Sequence, residues 1–283
     1  MWRLILSDPG NAYTNMAIDE AIFQSYKQGL IRPTLRIYSW QKPSISLGIR
    51  QNPQAVLHLD LCKAKQIEYV RRISAGEAIF HDQELTYSLV CTKNDLDLGD
   101  SVRKSFKILT AFIINTYKSL GLCAYFADTK GDYTHGDESN FCFATREKFD
   151  ILINNKKIGG NAQKREKNFI FQHGSLPLAL DFGEIKSIFK EKFVNLENKI
   201  ISLSQALNKN IDFDQLRCAL IDNFKQMFSL ELNKAELTDF EKELTNRLIK
   251  EKYNTKNWNN YRQTKIREND RKNIGNTPAV LAE

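Results

Sequence analysis

The chain has 283 residues, of which 42% are hydrophobic and 27% charged, so wholesale disorder is excluded. A net charge of +7 indicates solvated basic faces, or attraction to an acidic partner, and no nucleic-acid motif accompanies it. The start of the chain lacks the features of a signal peptide, and no apolar run approaches the roughly 18 residues of a membrane span. We therefore expect a soluble, cytoplasmic monomer that binds neither nucleic acid nor membrane.

The sequence predicts mixed helix and strand up to about residue 180. Residues 16–26 have the apolar spacing of a helix, with Asp19 and Glu20 facing outward. Ser101 can cap a helix that runs to about Leu120 and buries Val102. Residues 85–90 alternate as a half-buried strand should. Further strand-like runs are 35–38, 45–47, 67–72, 123–126, 149–153 and 169–172, and residues 56–65 are predicted to form a short helix.

Helices dominate after about residue 181, over 185–193, 213–228 and 237–253. The last begins with Thr238 and Glu241 in the spacing of a capping box. No composition break marks a linker. We predict one domain over residues 1–260 and a polar, disordered tail over 261–283.

The five cysteines are an odd number and have no metal-ligand spacing. This pattern argues against a disulfide framework and against a structural metal site. We expect free thiols, most of them small core residues. The cysteines are Cys62, Cys91, Cys123, Cys142 and Cys218.

Three stretches combine small residues, charge and reactive groups. Residues 71–82 read RRISAGEAIFHD after a predicted strand, so backbone amides can approach a ligand closely. Residues 155–163 read NKKIGGNAQ and place two glycines beside a lysine. Residues 172–176 read QHGSL. Taken singly, these stretches are as typical of turns, surface lysines and a structural histidine as of a binding site.

Taken together, in this order and spacing, the stretches resemble the lipoate ligase, biotin ligase and octanoyltransferase superfamily. The segment Asn15–Ala21 and the segment from Tyr253 to Trp258 are also similar to this family. Ser139-Asn140-Phe141-Cys142-Phe143 resembles the octanoyltransferases of the LipM type (lipoate-protein ligase A-like), in which a Cys-Phe pair supplies the nucleophile. The resemblance implies an α+β catalytic domain with a mixed or antiparallel sheet and flanking helices, like class II aminoacyl-tRNA synthetases and biotin and lipoate ligases.

The resemblance implies octanoyl transfer from acyl carrier protein, through a cysteine thioester, to a lysine of a lipoyl domain or a glycine-cleavage H protein. No cofactor or metal is expected. The implied catalytic residues are Cys142, as nucleophile, and Lys157, which would stabilise its thiolate. The implied substrate-binding residues are Arg71, Arg72, Ser74, Ala75, Gly76, His81, Gly159, Gly160, Ala162 and His173, with the two histidines in positioning roles.

Three alternatives stay open. An ATP-dependent lipoate ligase would need ATP and Mg²⁺, an amidotransferase would take octanoyl from another lipoyl protein, and a non-catalytic paralogue would only bind. The sequence also departs from the family loop, which usually reads Thr-Gly-Gly where this chain has Ser74-Ala75-Gly76. Alanine would be strained if its backbone needed a positive φ. The Glu77 carboxylate would repel an anionic ligand, which weighs against the ligase.

Overall fold

A computed structural model describes residues 1–127, 141 and 149–264 of the chain. The strands are β1 (Trp2–Leu6), β2 (Thr34–Tyr38), β3 (Ser44–Leu47), β4 (Glu68–Arg71), β5 (Ile79–His81), β6 (Glu84–Thr92), β7 (Tyr125–Phe126), β8 (Ile151–Ile153), β9 (Lys156–Lys157), β10 (Gly160–Glu166), β11 (Phe169–Pro177) and β12 (Leu232–Lys234).

The helices are α1 (Ala12–Lys27), α2 (Pro53–Val56), α3 (Leu59–Ala64), α4 (Val102–Ser119), α5 (Phe182–Ile188), α6 (Leu196–Lys199), α7 (Leu203–Leu207), α8 (Phe213–Phe228), α9 (Asp239–Leu248) and α10 (Lys256–Tyr261). A 3₁₀ turn covers Asn94–Leu96, and a π-helical turn, Ile249–Tyr253, continues α9. No helix in the described part of the chain is long and apolar enough to cross a bilayer.

The main sheet has the strand order β10-β11-β6-β2-β1-β12 in the described residues. The β1 pairs with β2 and β12 are parallel and the other pairs are antiparallel, which confirms the mixed sheet. A smaller sheet has β3 at its centre, parallel to β4 and antiparallel to β5. Helices α4 and α8 pack on one face of the main sheet, and α1 and α9 on the other. The fold is therefore α+β, as predicted.

Strand β6 shows why the half-buried prediction for residues 85–90 was wrong. Both of its faces are covered by helices, and Leu89 and Val90 are each at most 1% exposed. Val102, predicted to be buried, is 56% exposed because the buried residues of α4 begin only at Ser105. Helix α8 has the predicted bounds, and the capping box of Thr238 and Glu241 is confirmed.

The prediction that Asp19 and Glu20 face solvent was also wrong, because each carboxylate has a buried cationic partner. Asp19 accepts hydrogen bonds from Arg36 at 2.7 Å and from the Tyr38 hydroxyl at 2.9 Å. Glu20 pairs with Lys252 at 2.6 Å. Burial would raise the pKa of Glu20, but the charge of Lys252 and the hydrogen bonds outweigh it and the pKa is lowered. These pairs anchor α1 to the sheet and to the C-terminal segment.

Replacing Lys252 by methionine should reduce the free energy of unfolding by ~3–5 kcal/mol, because Glu20 is left buried and charged. The loss should be largest at neutral pH and shrink as pH falls, since a protonated Glu20 carries no buried charge. In the native protein, by contrast, Glu20 stabilises the fold above its ordinary pKa of 4.5, and this contribution is lost as pH falls through the lowered value. Urea unfolding at several pH values measures both trends. Lys250→Met removes an exposed lysine of the same turn and should change little.

Candidate active site

The loop between β4 and β5 carries the RRISAGEAIFHD motif, and Arg72 determines its shape. The Arg72 side chain donates to the carbonyls of Ser46, Ala75 and Glu77 at 2.8–2.9 Å. Its Nε also donates to the Ser74 hydroxyl at 3.1 Å. The residue is 1% exposed. A guanidinium is suited to this position because its rigid fork reaches several acceptors at once. Arg72 therefore positions the loop that the sequence predicted to bind substrate.

Arg71 holds a different part of the scaffold. Its guanidinium donates to the backbone carbonyls of Ile49 at 2.9 Å and Gln51 at 2.6 Å in the loop after β3, and to those of Trp258 at 3.0 Å and Asn259 at 2.7 Å in α10. Trp258 returns a hydrogen bond from its indole to the Arg71 carbonyl at 2.8 Å. Burial, and then the charge of Arg262, lower the Arg71 pKa. The hydrogen bonds of the Arg71 guanidinium thus connect the loop after β3 to α10.

Ser74 connects this loop to the third motif. Its hydroxyl lies 2.6 Å from His173 Nε2, and because Arg72 donates to the same oxygen, Ser74 is placed to donate to the imidazole. His173 is buried, and burial, followed by the charges of Arg72 and His81, holds its pKa well below the ordinary value. The ring is therefore a neutral acceptor at pH 7, as a positioning residue would be.

His81 is fixed on both nitrogens. Nδ1 lies 2.8 Å from Glu84 Oε1, Nε2 lies 2.7 Å from the Ser46 hydroxyl, and the ring stacks on Trp40 at a centroid distance of 3.9 Å. Glu84 also accepts from Ser175 in β11 at 2.5 Å and so joins two strands. Sequence reasoning overlooked Ser46 and Glu84 as parts of the site, although Glu84 follows His81 by three residues.

The second motif forms the end of β9 and the start of β10. Lys157 is 2% exposed, and its Nζ pairs with Asp150 Oδ2 at 2.8 Å, a partner that the sequence did not suggest. Gly159 has a φ of +77°, and a Cβ there would lie 2.1 Å from the Ser175 carbonyl oxygen. Ala162 is paired with His173 across the strands. The chain thus brings the second and third motifs together at Ser175 and His173.

Ala75 does not have a positive φ, so its backbone is not strained. The positive φ in this loop belongs to the adjoining Gly76, at +93°. The tightest approach is instead at Gly48, where a Cβ would lie 1.7 Å from the Gly76 carbonyl oxygen. Sequence reasoning missed Gly48, whose only signal is its place directly after the predicted strand 45–47.

Two empty spaces adjoin these residues. A buried cavity of about 10 Å³, lined by Ser46, His81, Ala162 and His173 among others, is about the size of one water molecule. An open cleft of about 650 Å³ is lined by Ala75, Gly76, Arg103, Phe106, Ala162 and Arg165, among others. We call it the arginine cleft. The predicted residues Ser74, His81, Ala162 and His173 therefore converge, and Ala75, Gly76 and Ala162 face the cleft.

The predicted nucleophile Cys142 lies outside the described residues. Of the other four cysteines, Cys62 and Cys91 are buried and Cys123 and Cys218 are exposed, and all four are free. Burial raises the pKa of the Cys62 thiol to about 11. The described residues contain no group of three or more His, Cys, Asp or Glu side chains that could hold a metal ion.

Gly159→Ala should destabilise the fold by more than Gly121→Ala. Both glycines have positive φ, at +77° and +88°, so both variants carry a backbone cost of ~1–2 kcal/mol. Only Gly159 has an atom in the way of a new Cβ, whereas Gly121 has nothing within 4 Å. Urea unfolding of the two variants measures the difference. Equal losses would contradict the close approach of β10 to Ser175.

Replacing His173 by glutamine should flatten the pH dependence of stability below the ordinary histidine pKa of 6.5. The folded state holds this ring neutral while the unfolded chain protonates it. Native stability is therefore fully present above pH 6.5 and falls as pH decreases, by up to ~1.4 kcal/mol per pH unit for one proton. Thermal unfolding between pH 5 and 7.5 measures the slope. The exposed His58, changed to glutamine, should leave the slope as it is.

Comparison with known proteins agrees with the motifs. Residues 11–225 match the family model of the lipoyl protein ligase A/B catalytic domain. The chain is 32% identical over 270 residues to octanoyltransferase LipM of Halalkalibacterium halodurans, a match that covers 91% of this chain and 98% of the relative. It is also 32% identical over 272 residues to octanoyltransferase LipM of Clostridioides difficile strain 630, with coverages of 92% and 99%.

Among solved structures, lipoate-protein ligase A bound with ATP matches with a TM-score of 0.76 and 26% identity, covering 90% of this chain and 97% of that one. A Thermoplasma acidophilum protein with bound lipoic acid matches with a TM-score of 0.74 and 26% identity, covering 91% and 98%. The predicted family and fold class are confirmed: the chain belongs to the lipoyl protein ligase A/B catalytic domain family.

Proposed function

We propose that this chain is an octanoyltransferase of protein lipoylation, which moves octanoyl from acyl carrier protein through Cys142 to a lysine of a lipoyl domain or glycine-cleavage H protein. Two relatives of that name align over more than nine-tenths of the chain. Their similarity supports the reaction type, and the motif that contains Cys142 supports the route through a thioester.

The observation that carries this proposal is the bridge between Phe141 and Ala78. Phe141 is fully buried and pairs in parallel with Ala78, which belongs to the loop that Arg72 shapes. Phe141 directly precedes Cys142 in the sequence. The bridge brings Phe141 to this loop, and it therefore supports Cys142, rather than one of the other four cysteines, as the nucleophile.

The reaction would proceed in two acyl transfers. The Cys142 thiolate attacks the donor carbonyl, the bond to the carrier sulfur breaks, and that sulfur leaves and takes up a proton. The acceptor lysine amine then attacks the enzyme thioester. The carbon–sulfur bond breaks, an amide forms, and the amine proton passes to the departing thiolate. A thiol suits both steps because its anion is a good nucleophile and a good leaving group.

Lys157 is the proposed partner of the thiolate. A neighbouring ammonium can lower a cysteine pKa by one unit or more from ~8.5. The ion pair with Asp150 and the 2% exposure of Lys157 hold its ammonium in one place. Backbone N–H groups of the 75–76 and 159–160 segments are the proposed donors to the carbonyl oxygen that becomes charged.

The donor thioester is already activated, so the proposed reaction needs no ATP and no metal. The acceptor lysines of lipoyl domains and H proteins lie on an exposed acidic hairpin, which is complementary to a chain of net charge +7. We propose that the enzyme acts as a cytoplasmic monomer.

Purified protein incubated with octanoyl carrier protein, without ATP or acceptor, should gain the mass of one octanoyl group. The adduct should be labile to hydroxylamine and absent from Cys142→Ala. Cys123→Ala and Cys218→Ala, which remove exposed thiols, should keep it. Intact mass spectrometry makes the measurement. An adduct that survives in Cys142→Ala, or no adduct in the native protein, would refute the thioester route.

An ATP-dependent lipoate ligase is the second candidate, and the likeness to lipoate-protein ligase A bound with ATP favours it. It would form an acyl adenylate from free octanoate or lipoate. Pyrophosphate release with ATP and free acid, in the absence of carrier protein, would identify this activity. An octanoylated protein as the only effective donor would identify the amidotransferase, and ligand binding without any transfer would identify a non-catalytic paralogue.

A further inference from the structure

The charged side chains among the described residues that line the arginine cleft are all positive. Arg103 and Arg165 both line it, and none of the described residues in its lining is acidic. Arg165 is half-buried, and its hydrogen bonds go to the uncharged side chains of Gln163 and Ser105. Desolvation lowers the pKa of Arg165, so an anion beside it would be favoured. Neither arginine has an ion-pair partner among the described residues.

The position of Arg103 adds to this charge. Arg103 and Lys104 lie in the first turn of α4, which contains no acidic residue. The first turn of a helix normally favours acidic side chains, because the unpaired N–H groups there have a partial positive charge. Two cations at this end raise the local electrostatic potential and destabilise the helix. The part of the cleft beside Arg103 therefore favours a negatively charged group.

The rest of the cleft lining is mostly apolar or small. Phe106, Val102 and Phe149 give it apolar surface, and Ala75, Gly76 and Ala162 connect it to the candidate site. One wall is β10, which is an edge strand of the main sheet in the described residues. An edge strand presents peptide N–H and C=O groups that can bond to an extended ligand. Arg165 lies three residues from Ala162, or about 10 Å along the strand.

We infer that the arginine cleft holds the phosphopantetheine arm of the acyl carrier, with Arg103 and Arg165 at its phosphodiester. The arm has a phosphate at one end, two amide groups along its length and the acyl thioester at the other end. These three features match the two arginines, the outer edge of β10 and the small residues at Gly76 and Ala162. Arginine suits phosphate because its fork donates two parallel hydrogen bonds. This inference rests on the proposed function, since it names how the donor is recognised.

Two donors that differ only in the phosphate test the inference: octanoyl-phosphopantetheine and octanoyl-pantetheine. The native protein should use the phosphorylated donor with a kcat/KM at least tenfold higher. Arg103→Ala, Arg165→Gln and the double variant should each reduce this preference, and the double variant should abolish it. Lys104→Ala removes an exposed cation of the same turn that does not line the cleft, and this variant should keep most of the preference. Arg103 is exposed, so its replacement should not disturb the fold, and a change in donor preference then reports on binding.

Direct binding of phosphopantetheine and of pantetheine, measured by calorimetry, makes the test independent of turnover. Tighter binding of phosphopantetheine that is lost in the double variant supports the cleft assignment even if no acyl transfer occurs, and in that case the proposed function alone fails. Equal binding of the two compounds by the native protein overturns the inference. So does a preference for ATP over phosphopantetheine that depends on the same two arginines, because the cleft would then be a nucleotide site.

Discussion

The Arg72 guanidinium, enclosed by the carbonyls of Ser46, Ala75 and Glu77, is the interaction on which the site depends. Those carbonyls belong to β3 and to the loop between β4 and β5, so a single side chain connects the loop to the small sheet. The same side chain donates to Ser74, which reaches His173 on another sheet. One buried cation therefore joins the small sheet, the loop between β4 and β5, and the main sheet.

Burial of charge is a recurring feature of this chain. Arg36 with Asp19, Lys252 with Glu20, and Lys157 with Asp150 are ion pairs in which at least one side chain is almost fully covered. Such pairs stabilise little compared with apolar packing, but they strongly disfavour arrangements that leave one charge without its partner. They fix the relative positions of α1, the sheet and the C-terminal segment to within a hydrogen-bond length. A site that must align three separate motifs depends on that accuracy.

Local sequence signals predicted local structure well. The bounds of α8 and the cap of α9 follow from periodicity and from the side chains of Thr238 and Glu241, which act within one turn. The convergence of the three motifs was also predictable, through their resemblance to a family. Glu20 was wrongly placed on the surface because its partner is 232 residues away. Gly48 was missed because the atom that excludes a Cβ there is the carbonyl oxygen of Gly76, which lies in a different loop.

The hydrogen bonds between Arg71 and α10 have a consequence for the order in which the protein matures. Trp258 and Asn259 are separated from Arg71 by 187 and 188 positions, so the ribosome must make nearly all of the described chain before these acceptors exist. A nascent chain that ends before α10 lacks two of the carbonyl acceptors of this guanidinium, while those of Ile49 and Gln51 are already present. The support of β4 is thus completed last, and a chain that stops before α10 would carry the three motifs without it.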